Sequence, residues 1–335
     1  MELEDNSKKG RVCVTGGTGF LGSWLVLKLL QSGYTVNTTV RPNPDGRKRD
    51  VNYLTNLPGA SERLQIFYAD LDKPETFAPA VQGCTGVFHV AHALDLDGKE
   101  DEETKTKRAI NGVLAILQAC IDSKTVKRVV YTSSASTVIF SGKKNSDVLD
   151  EDSWTDVGLM RSIGEPAGSY VISKTLTEKA AIEFAESHGL DFVTVVPTWI
   201  HGPFICSHFP DSVKIFLALI LGEQEHYKYL GDTSMVHVDD VARAHVFLFE
   251  HPNAKGRYLC SALEVTIHKL IEFVSERYPQ YHQLPINADS LKDKVQVKFS
   301  GFSSKKLVDS GFKFQHGLED MFDDAIRCCK EKGFL

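Results

Sequence analysis

Tyr170 and Lys174 stand four residues apart in Tyr-Val-Ile-Ser-Lys, a spacing that puts both side chains on one face of a helix. An unperturbed phenol titrates near ~10. An ammonium beside it favours the phenolate and lowers that value. A tyrosine so placed can give or take a proton at a carbonyl or alcohol oxygen. Ser134 ends the apolar run Val129-Val-Tyr-Thr-Ser-Ser134, and α/β folds gather their ligands at the carboxyl ends of strands. Its hydroxyl is therefore placed to hold the same oxygen. Tyr and Lys are common surface residues, so the spacing by itself says little. The setting says more, because Tyr170 comes after the fifth strand with its Ser-Ser end and stands at a helix start. Chemistry of this kind needs a hydride source, and a nicotinamide is one.

A second motif predicts how such a cofactor is held. Arg11-Val-Cys-Val-Thr15 reads as a buried strand, and Gly16, Gly19 and Gly22 follow at spacing three, with the apolar-periodic stretch Phe20–Leu30 continuing the chain. Gly16 allows a tight turn, Gly19 lets backbone approach a pyrophosphate, and Gly22 lets the helix pack closely on the sheet. The helix start then offers free N–H groups and partial positive charge to phosphate. The next strand, Tyr34–Val40, ends in Arg41, and Arg47-Lys48-Arg49 follow a Pro/Gly turn. An NAD site usually carries Asp or Glu at that strand end. Cations there suit the 2′-phosphate of NADP(H), the alternative being a solvated basic loop. Asp70, after the strand Leu64–Tyr68, has two readings: an acceptor for the adenine amino group, or an N-cap for the next helix.

The elements that must position these residues alternate. Further strands are expected at 86–91, 129–134 and 192–197. A long helix is expected to start at the acidic residues 100–103, a favourable first turn, and to run through 109–121, and another is expected from Tyr170 to about His188. Residues 141–169 read as an irregular loop covering a site. This rhythm predicts an α/β fold with a doubly wound parallel sheet, a Rossmann fold. Residues 1–10 form a loose tail. Residues 11–197 make the dinucleotide-binding domain, to which 235–261 return. Residues 198–234 and 262–335, with helices near 266–277 and 317–332, make a smaller mixed α/β C-terminal lobe, and the substrate belongs in the cleft between them.

Composition narrows the partners. The 335 residues carry a net charge of −6, which argues against nucleic acid and anionic membrane. The first ten residues lack the apolar core of a signal peptide, and the longest apolar run, Ile215–Leu221, is too short to span a bilayer. Seven scattered cysteines, without a C-x-x-C pair, read as reduced thiols in a cytoplasmic protein. Cys13 reads as inert core. His201, Cys206 and His208 fit no zinc spacing, so no metal is expected and aromatic packing or cleft lining is the reading. His237 precedes Asp239-Asp240, which cap the following helix.

Taken together, the motifs resemble the extended short-chain dehydrogenase/reductases, and most closely their plant branch of dihydroflavonol and vestitone reductases. The resemblance rests on Val14-Thr-Gly-Gly-Thr-Gly-Phe-Leu-Gly22, Leu57-Pro-Gly-Ala60, Ala69-Asp70-Leu71, Tyr131-Thr-Ser-Ser134, Tyr170-x-x-x-Lys174, Val196-Pro-Thr198, Gly202-Pro-Phe204 and His237-Val-Asp-Asp-Val-Ala242. The C-terminal Met321-Phe-Asp-Asp-Ala-Ile and Lys330-Glu-Lys-Gly-Phe-Leu335 are similar to vestitone reductase and noscapine synthase. The resemblance implies a Ser134–Tyr170–Lys174 triad. It implies NADP(H) contacts from the glycine loop (Gly16, Thr18, Gly19, Phe20, Leu21, Gly22), from Arg41, Arg47, Lys48, Asp70, Leu71, Val90, Ala91 and Pro197, and from Ser133, Tyr170, Lys174 and Thr198.

Departures from the family pattern bear on the substrate. Val90-Ala-His-Ala93 stands where the family reads Val-Ala-Thr/Ser-Pro, which puts His92 near the pocket as a substrate contact or as an inert rim residue. Ile139 replaces an Asn that holds the flavonoid ring in dihydroflavonol reductases. Gly168 replaces a Trp and is expected to open the cleft. The Asn-Trp-Tyr motif of cinnamoyl-CoA reductases is absent. Dihydroflavonol and cinnamoyl-CoA are therefore disfavoured, and a polycyclic ketone, or a cyclic hemiacetal oxidised in the reverse direction, is expected. The expected protein is a monomeric NADP(H)-dependent oxidoreductase with a small-molecule substrate. Two alternatives stand beside it: a catalytically silent NADP-binding sensor or scaffold, and a sugar-nucleotide epimerase. The latter lacks a basic cluster in 198–233, where Lys214 and Lys228 are isolated.

Overall fold

A computed structural model describes residues 9–43, 49–92, 101–142, 148–163, 166–281 and 301–335. The strands are β1 (Lys9–Thr15), β2 (Tyr34–Val40), β3 (Leu64–Tyr68), β4 (Gly86–His89), β5 (Arg128–Thr132), β6 (Phe192–Pro197), β7 (Trp199–His201), β8 (Thr233–His237), β9 (Gly256–Cys260) and β10 (Leu263–Val265). Seven form one sheet in the order β3-β2-β1-β4-β5-β6-β9, with every pairing parallel. Strand order reverses between β1 and β4, and this switch point opens a crevice at the carboxyl ends of the strands. The fold is the doubly wound one expected.

The longer helices are α1 (Phe20–Gln31), α2 (Glu102–Asp122), α3 (Pro166–Ser187), α4 (Asp211–Leu221), α5 (Val238–Glu250), α6 (Ile267–Arg277) and α7 (Leu318–Lys332). Side chains alternate across a strand, so β1 feeds two cores. Val12 and Val14 face Leu25 and Leu29 of α1 and Val241 and Leu248 of α5. Cys13 faces Val113, Ile116 and Leu117 of α2 and Ala181 of α3. The last four residues of β1 and all of β4 and β5 are buried, which is why these strands read as continuous apolar runs. Asp101 caps α2 by accepting from the Thr104 amide at 2.8 Å, with Glu102 and Glu103 in the first turn. The third core joins α4, α6 and α7 through Phe216, Leu270 and Phe322. Phe20 packs against both the first core and this one.

The structure departs from the sequence-based expectation in three places. β8, expected to lead the return to the large sheet, instead pairs with β7 and β10 in a three-stranded mixed sheet. The return to the large sheet is made by α5, packed on α1, and by β9. Part of 141–169 is helical, at Val157–Ile163. α3 begins at Pro166, so Tyr170 lies within the helix rather than at its start. Among the described residues no helix is long and apolar enough to cross a membrane. All seven cysteines are free and buried, and burial pushes the Cys13 thiol well up.

Four histidines are buried in this frame: His89, His201, His237 and His245. Burial pushes His89 and His201 down to about 3 and His237 and His245 down to about 4. The folded chain holds them neutral while the unfolded chain takes up protons below ~6.5. Stability is therefore complete above that pH and falls as pH drops from ~6.5 toward ~4, by about 1.4 kcal/mol per pH unit for each histidine. We expect Tm to fall steeply across this window. A Tm that stays level between those two pH values contradicts it.

Candidate active site

At the switch point the glycine turn is built by steric necessity. Gly16 has φ +76°, and a Cβ there would lie 3.0 Å from the Ala91 Cα. A Cβ at Gly22 would lie 2.1 Å from the Gly16 carbonyl oxygen. Gly22 therefore lets the helix close on the turn itself, where the sequence predicts close packing on the sheet. Gly17, which the spacing-three pattern passes over, is as constrained: its Cβ would lie 2.0 Å from Thr38 Oγ1. Gly19 is open, with only the Gly16 oxygen near, at 3.4 Å. It is the N-cap of α1, without a side-chain cap or an acid in the first turn. The first helical bond runs from the Ser23 amide to the Gly19 carbonyl, 2.9 Å. The amides of Phe20, Leu21 and Gly22 precede it and face the crevice end. Thr18 and Phe20 are partly exposed there, and the Leu21 side chain turns into the core.

Thr15 holds the other side of the turn. Its Oγ1 accepts from the Val90 and Ala91 amides, both at 3.1 Å, and lies 2.8 Å from His89 Nδ1. With two donors already received, the hydroxyl proton goes to Nδ1, so His89 carries its proton on Nε2. This clamp keeps 90–91 beside Gly16. The sequence reading does not contain it; the only signal is one polar residue ending an apolar strand.

At the adenosine side, Arg41 lies 3.5 Å from Asp70 and 3.6 Å from Asp72, and remains more than half exposed. Asp70 does not cap a helix. Its Oδ1 accepts from the Asp72 amide at 3.2 Å, forming an Asx turn that presents Leu71 toward Gly112 of α2. Arg47 and Lys48 lie outside the described residues. At the far side, Pro197 ends β6, and Thr198 is buried with its Oγ1 unpartnered among the described residues. A bare helix N-terminus, a glycine with open space before it, an exposed guanidinium and a buried orphan hydroxyl fit a phosphorylated dinucleotide.

The three expected catalytic residues come together. Ser134 follows β5, and its Oγ accepts from the Ser136 amide at 3.2 Å. Burial pushes the Tyr170 phenol up, against a smaller downward pull from the nearby Ser134 and Ser136 hydroxyls. Lys174 is buried and donates from Nζ to the Thr132 carbonyl at 2.9 Å. Nζ also stands 4.9 Å over the Tyr131 ring. Burial pushes this ammonium down to about 8, against the pull of Glu178. The lysine expected to depress Tyr170 is thus tied to the strand end, and desolvation sets the direction at the phenol.

The expected pocket residues separate. The His92 ring meets the Tyr170 ring edge-on, centroids 5.8 Å apart, and burial with the Lys174 charge pushes it well below its usual range. Ile139 packs on Val138, Leu149 and Val196. Gly168 is buried, and a Cβ there would touch Met160 at 3.6–3.7 Å. Met160 is therefore the neighbour that a side chain at 168 would meet first. Ser133, expected at the cofactor, donates its hydroxyl to Glu178 at 2.5 Å. His201 packs between Phe216 and Phe322. His237 itself caps α5, its Nδ1 accepting from the Asp239 amide at 3.0 Å, a task expected of the two aspartates. A cavity lined by Trp24, Phe204, His237, Asp324 and Arg327 shares no residue with the Ser134–Tyr170–Lys174 group.

A parallel sheet of this order, with a glycine turn and bare helix start at its switch point, defines a dinucleotide-binding protein. The chain belongs to the NAD dependent epimerase/dehydratase family, whose pattern matches residues 12–290. Vestitone reductase of Medicago sativa is 53% identical over 329 residues, covering 98% of this chain and 99% of that one. Its crystal structure superposes with a TM-score of 0.85 at 50% identity, over 98% of this chain and 100% of that one. Protein BRI1-5 ENHANCED 1 of Arabidopsis thaliana is also 53% identical, over 97% of this chain and 90% of its own length. Dihydroflavonol 4-reductase of Zea mays is 48% identical, over 98% of this chain and 91% of its own.

Proposed function

We propose that the chain is an NADP(H)-dependent oxidoreductase that acts on a carbonyl or alcohol of a polycyclic plant metabolite, a vestitone-like ketone or a flavonoid or alkaloid hemiacetal. The observation that carries this is the meeting of two elements: buried Lys174 donates to the Thr132 carbonyl two residues before Ser134, and Tyr170, one turn earlier on the same helix face, meets the His92 ring beyond the end of β4. The bound nicotinamide supplies or accepts the hydride. The amides of Phe20, Leu21 and Gly22 hold the pyrophosphate, and Arg41 the 2′-phosphate. Ser134 donates to the substrate oxygen and orients it. Tyr170 gives that oxygen a proton in reduction and takes it back in oxidation. Lys174, as an ammonium, holds the ribose and stabilises the phenolate once it forms. His92, edge-on to Tyr170 and neutral, lines the substrate side.

A panel of ketones, alcohols and hemiacetals, run in both directions and followed by NADPH absorbance, tests the reading. Turnover of a polycyclic member with NADPH is expected. NADPH-dependent thermal protection without turnover on any member would instead favour a binding protein. For the cofactor, Arg41→Ala is expected to weaken NADPH binding about tenfold or more and leave NADH unchanged, since a hydrogen bond to a charged group is worth about 1.5–3 kcal/mol. Equal losses for both dinucleotides would remove Arg41 from the phosphate.

A further inference from the structure

Glu178 lies four residues beyond Lys174 and eight beyond Tyr170, so the three side chains run down one stripe of α3. It is fully buried, where a carboxylate persists only if charge and hydrogen bonds meet it. Both do. Arg257 of β9 donates from Nε to Oε1 at 2.8 Å and from Nη2 to Oε2 at 3.4 Å, and Ser133 donates to Oε2 at 2.5 Å. The guanidinium is satisfied in turn. Nη1 donates to the carbonyls of Glu151 at 2.7 Å and Ser153 at 2.9 Å. Nη2 donates to Thr137 Oγ1 at 2.8 Å. With the two bonds to Glu178, all five N–H groups have acceptors. The Trp154 ring covers the guanidinium at 3.7 Å. One ion pair therefore joins the helix that carries Tyr170 and Lys174, the turn that carries Ser134, the 151–154 segment and the edge strand of the sheet.

We propose that the Glu178–Arg257 pair is the positioning device of this site: it sets Ser134 against Tyr170 through Ser133 and Thr137, and it places an anion one helical turn from the Lys174 ammonium. The proposal rests on the reading of Ser134, Tyr170 and Lys174 as the reacting group. The groups around Lys174 are Tyr170 and Glu178 on its own helix, Tyr131 and the Thr132 carbonyl on β5, and His89 and His92 at the end of β4, with Arg108 of α2 beyond His92. Among the described residues Glu178 is the one carboxylate in this group, and it pulls the Lys174 ammonium up against burial.

The test compares Glu178→Gln, Arg257→Gln and the double variant. The glutamine at 178 keeps the size and the acceptor but loses the charge. The double variant removes the guanidinium that this would leave buried and unpaired. The readouts are the pH profile of kcat and the pH dependence of NADPH affinity. In Glu178→Gln and in the double variant the alkaline limb of both is expected about one pH unit lower, with little change at mildly acidic pH. Arg257→Gln takes from the buried carboxylate the charge that holds it ionised, so its limb is expected to move in the same direction as in Glu178→Gln and by no more. A folded variant lacking the carboxylate whose limbs stay in place overturns the proposal. Failure of all three to fold also overturns it, by assigning the pair to the core alone. If the parent binds NADPH but turns over nothing, the reading of the reaction fails, and the limb in NADPH affinity still decides the role of Glu178.

Discussion

A Tyr170→Phe variant is expected to bind NADPH as the parent does and to turn substrate over about 10²–10⁴-fold more slowly. The substitution keeps the ring and so keeps the edge-on contact with His92. It removes only the hydroxyl that Ser134 and Ser136 face, so the loss should fall on kcat rather than on cofactor affinity. The direction of the phenol's shift adds a sign. Burial raises it, so near neutral pH the tyrosine holds its proton and is ready to donate. Reduction should therefore be level across neutral pH, while oxidation, which needs the phenolate, should climb as pH rises. Kinetics in both directions with both proteins check this. If Tyr170→Phe turns over within a few-fold of the parent, the tyrosine has no part in the proton transfer.

The second large effect is expected at Gly22. An alanine there places its Cβ 2.1 Å from the Gly16 carbonyl oxygen and 2.9 Å from the carbonyl carbon. These are backbone atoms at the switch point and cannot turn aside. Overpacking of this kind costs about 1–3 kcal/mol, a loss of several degrees in Tm for a chain of this size. The displaced turn should also abolish the rise in Tm that NADPH gives the parent. Gly17→Ala, 2.0 Å from Thr38 Oγ1, should behave similarly. Gly19→Ala separates the two effects. Its Cβ has room, so the free protein should keep its Tm, while the methyl group stands where phosphate approaches and weakens binding. Melting curves with and without NADPH distinguish the three. A Gly22→Ala protein with the parent's Tm and protection would contradict the steric account.

Much of this is legible from local signals. A buried strand, glycines at spacing three and an apolar-periodic helix predict the turn, because each depends on residues close in sequence. The Tyr170–Lys174 face is legible for the same reason. Sheet membership is not. β8 is as fully buried as β5 of the large sheet, and its pairing with β7 and β10 is what separates it. The start of α3 is hidden because the tyrosine marks the chemistry rather than the helix boundary. Gly17 escapes the spacing pattern because its constraint comes from Thr38 on the neighbouring strand. Arg257 is separated from Glu178 by 79 positions, and nothing along the chain announces their pairing. The sequence does carry one trace of it, since Glu178 is the third member of the stripe Tyr170, Lys174, Glu178.

The seven thiols have a consequence of their own. Cys13, Cys84 and Cys120 sit in one core, Cys206, Cys328 and Cys329 in another, and Cys260 in the remaining one of the three large cores. None is paired and none is exposed. An alkylating reagent therefore finds no target on the closed molecule, and each modification registers one excursion of one layer away from its packed state. The order in which the thiols are tagged is a map of breathing, written by the chain without any introduced probe.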